Sequence, residues 1–272
     1  MNLAFIGGGN MARAIIGGLV ARGTNASTIG VVEPDAAARE RLAKELGVTA
    51  VAQPDATLAG AATIVFAVKP QHMREAARSC AAHSEDALAV TIAAGIRIED
   101  LSRWLGGHSR IVRAMPNTPA LVHSGMTGLH ARGDVGVHDR NAAESMMRSV
   151  GQCIWFEREE DLDAVTAVSG SGPAYVFYVI EALEQAGREL GLAPAASRAL
   201  ALATFAGATK LAGERDEDPA VLRAQVTSKG GTTERALQVL EHAGVKARFI
   251  AAVKAACERS RELGVELGKD PK

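Results

Sequence analysis

The chain has 272 residues, 47% hydrophobic and 22% charged, with 30 basic side chains against 31 acidic ones. Apolar content this high excludes a disordered chain, and the length suits one large domain or two modest ones. A net charge of −1 without any run of Lys and Arg gives no electrostatic ground for a nucleic-acid partner.

Cys80, Cys153 and Cys257 stand apart with no C-x-x-C pair, and the seven histidines are scattered. No metal site and no disulfide framework are expected. The N-terminus runs straight into a strand-like segment without the charged region and cleavage site of a signal peptide. No stretch of about 18 uncharged apolar residues could cross a bilayer. A cytoplasmic protein without a membrane partner is expected.

In chain order, Asn2–Ile6, Ile29–Glu33, Thr63–Val68, Leu88–Ala93 and Arg110–Met115 read as strands. Met11–Arg22, Ala36–Leu46, Met73–Ala82 and Glu99–Leu105 between them have helical spacing. A further strand pair, Met126–His130 and Cys153–Glu157, flanks a helix near Val137–Val150. Strands alternating with helices predict an α/β fold with a doubly wound parallel sheet over 1–160.

Beyond 160 the strand signal ends. Tyr175–Leu190, Ala195–Leu211, Pro219–Val226, Thr233–His242 and Lys246–Leu267 all carry helical periodicity, so 161–272 is predicted to be all-helical. Ala199–Ala208 is apolar on nearly every face, which normally means burial. About 110 residues can hardly bury so many helices alone. The helical half is expected to bury itself against a second copy, the alternative being an alanine-rich bundle packed within one chain.

The opening Leu3-Ala4-Phe5-Ile6 leads into Gly7-Gly8-Gly9-Asn10-Met11-Ala12, which fits G-x-G-x-x-A at Gly7, Gly9 and Ala12. The first glycine permits a tight turn, the second lets backbone approach a pyrophosphate, and the small third residue lets helix pack on strand. The helix start adds free N–H donors and a partial positive charge. Placed between a strand and a helix, the motif predicts a Rossmann-type dinucleotide-binding domain, with a simple packing turn as the alternative. Glu33, closing the second strand, can accept from a ribose 2′-hydroxyl and would repel a 2′-phosphate, so NADH is expected to be accepted. Arg39 on the next helix could partner a phosphate instead. Val68-Lys69-Pro70 leaves the strand at 63–68, where ligands of open α/β sheets sit; Lys69 either meets the nucleotide or is a surface lysine.

Hydride transfer needs a polarised C=O or C=N, and carbonyl reduction usually needs an acid to supply a proton. The two-part layout resembles the β-hydroxyacid dehydrogenases, which place a Lys six residues after the first glycine of a G-x-G at the start of a long helix. In Gly170-Ser171-Gly172-Pro173-Ala174-Tyr175-Val176 that place is held by Val176. A cyclic imine suffers less from this loss, because its nitrogen is itself protonated near neutral pH. A second turn, Val226-Thr227-Ser228-Lys229-Gly230-Gly231-Thr232-Thr233, opens the helix beginning at Glu234. Its Gly, Gly and Thr amides can cradle a carboxylate, with hydroxyls of Ser228, Thr232 and Thr233 alongside; a capped turn without a ligand is the alternative.

Together these motifs resemble the pyrroline-5-carboxylate reductases over nearly the whole chain. The blocks are Phe5–Met11, Ala67-Val68-Lys69-Pro70-Gln71, Ile92–Gly95, Arg113–Ala120, Ser169–Tyr175 and Thr227–Thr233. The resemblance implies NAD(P)H-dependent reduction of L-1-pyrroline-5-carboxylate to L-proline, the last step of proline biosynthesis. It implies that Gly7, Gly9, Asn10 and Met11 hold the pyrophosphate, with Ile6 and Ala12 also among the cofactor-binding residues. Ala67, Val68, Lys69 and Pro70 would lie along ribose and nicotinamide, with Met115, Pro116 and Asn117 bordering the nicotinamide face. Ser228, Gly230, Gly231, Thr232 and Thr233 would take the substrate carboxylate, and Thr233, by its hydroxyl near the ring nitrogen, is the expected catalytic residue. It also implies that the helical halves interleave into a homodimer, and in many relatives into a decamer of five dimers. The chain departs from the family pattern at two places: Glu33-Pro34 replaces residues suited to a 2′-phosphate, and Lys229 stands where many relatives carry Pro.

Overall fold

The computed structural model describes residues 3–55, 58 and 60–269. Asn2, the first residue of the expected opening strand, lies outside them. The first half alternates as expected, with β3 as an added strand: β1 Leu3–Ile6, α1 Asn10–Ala21, β2 Ile29–Val32, α2 Ala36–Leu46, β3 Thr49–Val51, β4 Thr63–Phe66, α3 Met73–Cys80, β5 Leu88–Thr91, α4 Ile98–Trp104 and β6 Ile111–Met115. Then come β7 Gly125–Ala131, α5 Val137–Arg148, β8 Gly151–Trp155 and α6 Asp161–Val165. A single eight-stranded sheet runs β3-β2-β1-β4-β5-β6-β7-β8, parallel throughout except between β6 and β7.

β1, β4 and β5 are buried at every residue, which is why they read as unbroken apolar runs. Alternate side chains feed two cores: Leu3, Phe5 and Val65 pack with α1 and α5 on one face. Ala4, Ile6, Ile64 and Phe66 pack with α3 and α4 on the other. The chain leaves β1 toward β2 and β3, then returns to β4 on the other side of β1. The carboxyl ends of β1 and β4 therefore form the switch point where such sheets bind ligands.

The helical half consists of α7 Gly172–Glu189, α8 Pro194–Gly213, α9 Pro219–Gln225, α10 Thr232–His242 and α11 Val245–Gly268, preceded by a π turn at Thr166–Gly170. Two compact units emerge: Met1–Ser171 with Ala256–Lys272, and Gly172–Ala255. The change in composition near 160 and the change in packing at 171 do not coincide. Asp163 on α6 faces Arg113 of β6 at 3.8 Å, and Ser260 of α11 donates to Asp163 Oδ1 at 2.7 Å. These contacts tie α6 and the end of α11 to the sheet.

Within the second unit, α7 buries none of its residues and α8 only Ser197 and Ala201. Phe177 is 65% exposed, Tyr178 73% and Leu200 56%. An all-round apolar helix left this bare in one chain has the surface of an interface.

Candidate active site

The glycine loop sits at the switch point. Gly7 follows β1 at φ +97°, and a Cβ there would lie 2.9 Å from the carbonyl oxygen of Ala67. Only glycine allows the loop to pass so close to the end of β4. Gly7 N–H donates to Val32 O at 2.8 Å, and Ala67 N–H donates to Ile6 O at 2.8 Å. Gly9 caps α1 without a side-chain hydrogen bond, no acidic residue stands in the first turn, and space is open around Gly9. Asn10 and Met11 begin the helix, and Ala12, fully buried, lets it pack on the sheet. The result is a helix start whose amides can receive a phosphate.

Glu33 lies beside this loop, half-buried. Its Oε2 accepts from Gly8 N at 2.9 Å and its Oε1 from Asp35 N at 3.0 Å. The carboxylate thus locks the loop to the end of β2. Arg39 Nη1 donates to the carbonyls of Glu33 at 2.8 Å and Pro34 at 2.7 Å, which holds the guanidinium over the turn between β2 and α2. A cavity of about 550 Å³ opens here, lined among others by Ile6, Gly7, Pro34, Val68, His72 and Glu75. It has room for a nucleoside and adjoins the uncapped helix start, so these residues fit a dinucleotide. Lys69, exposed, precedes a short 3-10 turn, Pro70–His72, whose His72 N–H donates to Lys69 O at 2.9 Å.

Met115 ends β6, Pro116 is buried, and Asn117 spends its whole side chain on structure. Asn117 Oδ1 accepts from Met126 N at 2.9 Å, while Nδ2 donates to Ser169 Oγ at 3.1 Å and to Ser169 O at 3.3 Å. A Cβ on Gly170 would meet Met115 Cε at 2.6 Å. Asn117 therefore clasps the end of β6, the start of β7 and the π turn together. Sequence reasoning missed Ser169 and Gly170 as neighbours of Met115–Asn117. Their only signal was the Ser169–Tyr175 block itself, because one extra residue in a helical turn leaves no periodicity to read.

In the second unit the turn at 227–233 is tighter than its sequence suggests. Gly230 has φ +75°, and its N–H donates to Glu234 Oε2 at 2.7 Å. Gly231 N–H donates to Ser228 O at 3.0 Å. Both glycine amides are spent inside the turn. Gly231 caps α10 with no side-chain hydrogen bond, so the donors left for a ligand begin at Thr232 and Thr233. Ser228 and Thr232 are exposed and Thr233 is half-buried.

Residues 159–263 match the family described as pyrroline-5-carboxylate reductase dimerisation. Residues 2–95 match the family described as NADP oxidoreductase, coenzyme F420-dependent. Pyrroline-5-carboxylate reductase of Pseudomonas aeruginosa is 41% identical over 268 residues, 98% of either chain. The chain belongs to the pyrroline-5-carboxylate reductase family. The solved reductase of Coxiella burnetii is similar at 39% identity and TM-score 0.90, over 96% of this chain and 98% of that one. The Plasmodium falciparum enzyme, solved with NADP bound, is 29% identical with TM-score 0.87, over 97% and 98%. The chain is accordingly an NAD(P)H-dependent oxidoreductase that reduces L-1-pyrroline-5-carboxylate to L-proline.

Burial pushes the Cys153 thiol up to about 11 and raises that of Cys80, which leaves both protonated at neutral pH. Among the described residues no group of three or more His, Cys, Asp or Glu could hold a metal, and no helix is long and apolar enough to cross a membrane.

Proposed function

We propose that the two units of this reductase divide the reaction between them. In the first, the amides of Gly9–Ala12 take the pyrophosphate, the cavity beside Pro34 and Val68 takes the adenosine, and Ala67–Pro70 with Met115–Asn117 border the nicotinamide. In the second, Ser228 and the amides of Thr232 and Thr233 take the substrate carboxylate, with the Thr233 hydroxyl at the ring nitrogen. When bound, NAD(P)H supplies the hydride that reduces the C=N bond. The imine nitrogen is basic enough to arrive protonated, which removes the need for an acid where Val176 stands. The observation that carries this reading is the uncapped start of α1 opening beside the 550 Å³ cavity.

Glu33 and Arg39 bear on nucleotide choice. Both Glu33 oxygens already accept backbone N–H groups, and among the described residues Arg39 is anchored through Nη1, so its other nitrogens suit a 2′-phosphate. NADPH is therefore used as well as the NADH that Glu33 by itself suggests. Steady-state kinetics with pyrroline-5-carboxylate and both nucleotides test this. Arg39→Ala raises KM for NADPH by roughly 10- to 100-fold, the loss of a charge-assisted contact, and moves KM for NADH by about twofold at most. An equal change for both nucleotides overturns Arg39's role.

The bare apolar faces of α7 and α8 support a homodimer as the working unit, with a decamer of five dimers as the larger assembly, acting in the cytoplasm. Sedimentation at micromolar concentration is expected to show two or ten chains per particle. A stable monomer would refute it.

A further inference from the structure

We infer that Glu234 is a positioning residue for the substrate carboxylate, which this chain holds in its receiving turn through a hydrogen bond to Gly230. The inference rests on the proposed placement of the carboxylate at 228–233. Gly230 is in the left-handed region at φ +75°, and its N–H has one acceptor, Glu234 Oε2 at 2.7 Å. Glu234 is the third residue of α10, so its side chain reaches back over the helix start, as the carboxylate of a capping box does. It does not stop at the capping residue Gly231, whose N–H is already given to Ser228 O at 3.0 Å. It goes one residue further and closes the turn from outside.

The consequence is a division of donors. With the N–H groups of Gly230 and Gly231 both satisfied internally, the only helix-start amides left are those that follow. The side chain of Ser228 is held close as well: a Cβ at position 231 would come 2.7 Å from Ser228 Oγ. Without the Glu234 contact, Gly230 is held among the described residues only by the turn bond that spans it, Gly231 N–H to Ser228 O. A glycine populates positive and negative φ about equally when unconstrained. The fraction of molecules with the turn ready then falls, and the apparent affinity for a carboxylate falls by the same factor.

Substrate selectivity tests the idea. Pyrroline-5-carboxylate is compared with 1-pyrroline, the same ring without its carboxylate, in the wild type, Glu234→Ala and Glu234→Gln. The wild type is expected to favour the carboxylated ring strongly in kcat/KM. Glu234→Ala narrows that preference by about three- to tenfold, through KM for pyrroline-5-carboxylate, with kcat and the 1-pyrroline parameters within about twofold. Glu234→Gln, whose amide oxygen can accept the same N–H, restores most of the preference. A preference that survives Glu234→Ala, or widens, overturns the role of Glu234 while leaving the carboxylate site standing. A wild type that uses both rings equally well overturns the site itself, and the inference with it.

Discussion

Replacing Arg113 by Met is expected to lower the free energy of unfolding by about 3–5 kcal/mol, the usual cost of removing one partner from a buried ion pair. Arg113 lies on β6 with its side chain only 4% exposed, 3.0 Å from Glu159 Oε1 and 3.8 Å from Asp163 Oδ1. Glu159 Oε1 also accepts Ile98 N–H at 2.8 Å, and Asp163 Oδ1 also accepts Ser260 Oγ–H at 2.7 Å. One guanidinium thus neutralises the carboxylates that bind the start of α4, α6 and the end of α11 to the sheet. Methionine matches its apolar stem but leaves two carboxylates, that of Asp163 buried, without their cation. Denaturant unfolding at fixed protein and nucleotide concentration measures the effect, since binding and assembly shift apparent stability. Adding Glu159→Gln and Asp163→Asn to Arg113→Met should recover much of the loss. A loss below about 1 kcal/mol for Arg113→Met alone would show that the pair's desolvation cost already cancels its attraction.

Thr233→Val is expected to lower kcat/KM for pyrroline-5-carboxylate by roughly 10- to 150-fold, or about 1.5–3 kcal/mol, the worth of a hydrogen bond to a charged ligand. Valine matches the shape of threonine and keeps the backbone N–H, so the change isolates the hydroxyl. Thr233 is half-buried in the first turn of α10, and no residue of that helix is fully buried, so the substitution leaves no core cavity. Binding of NADP+, followed by calorimetry, should stay within about twofold, and Thr233→Ser should regain most of the activity. Unchanged kinetics in Thr233→Val would remove the hydroxyl from the reaction.

The elements that read clearly in sequence are those whose signal is local and repeated. β1, β4 and β5 are continuous apolar runs because both faces of a parallel strand are covered. β3 escaped because Thr49–Val51 is only three residues long and none of them is fully buried. The start of α7 lies at Gly172, ahead of the expected Tyr175, since Gly-Pro at a helix start carries no apolar periodicity. In the site, Gly7, Gly9 and Ala12 were legible for the same local reason: each answers a backbone need at its own position.

What tertiary structure alone decided is which polar groups remain available. Residue types already say that Glu33, Asn117, Gly230 and Gly231 can donate or accept. Glu33 spends an oxygen on an amide 25 residues away, and Asn117 its amide nitrogen on a serine 52 residues away. Even the spending of Gly230 on Glu234, four residues on, depends on a left-handed turn that a glycine permits without requiring. From its letters the chain declares a nucleotide-binding sheet followed by helices with an apolar surface to cover, because periodicity and glycine placement are near-neighbour properties. A hydrogen-bond partner is set by where the backbone brings distant residues, and so the glycine amides of this turn are spent within it while those of Thr232 and Thr233 at the helix start are not.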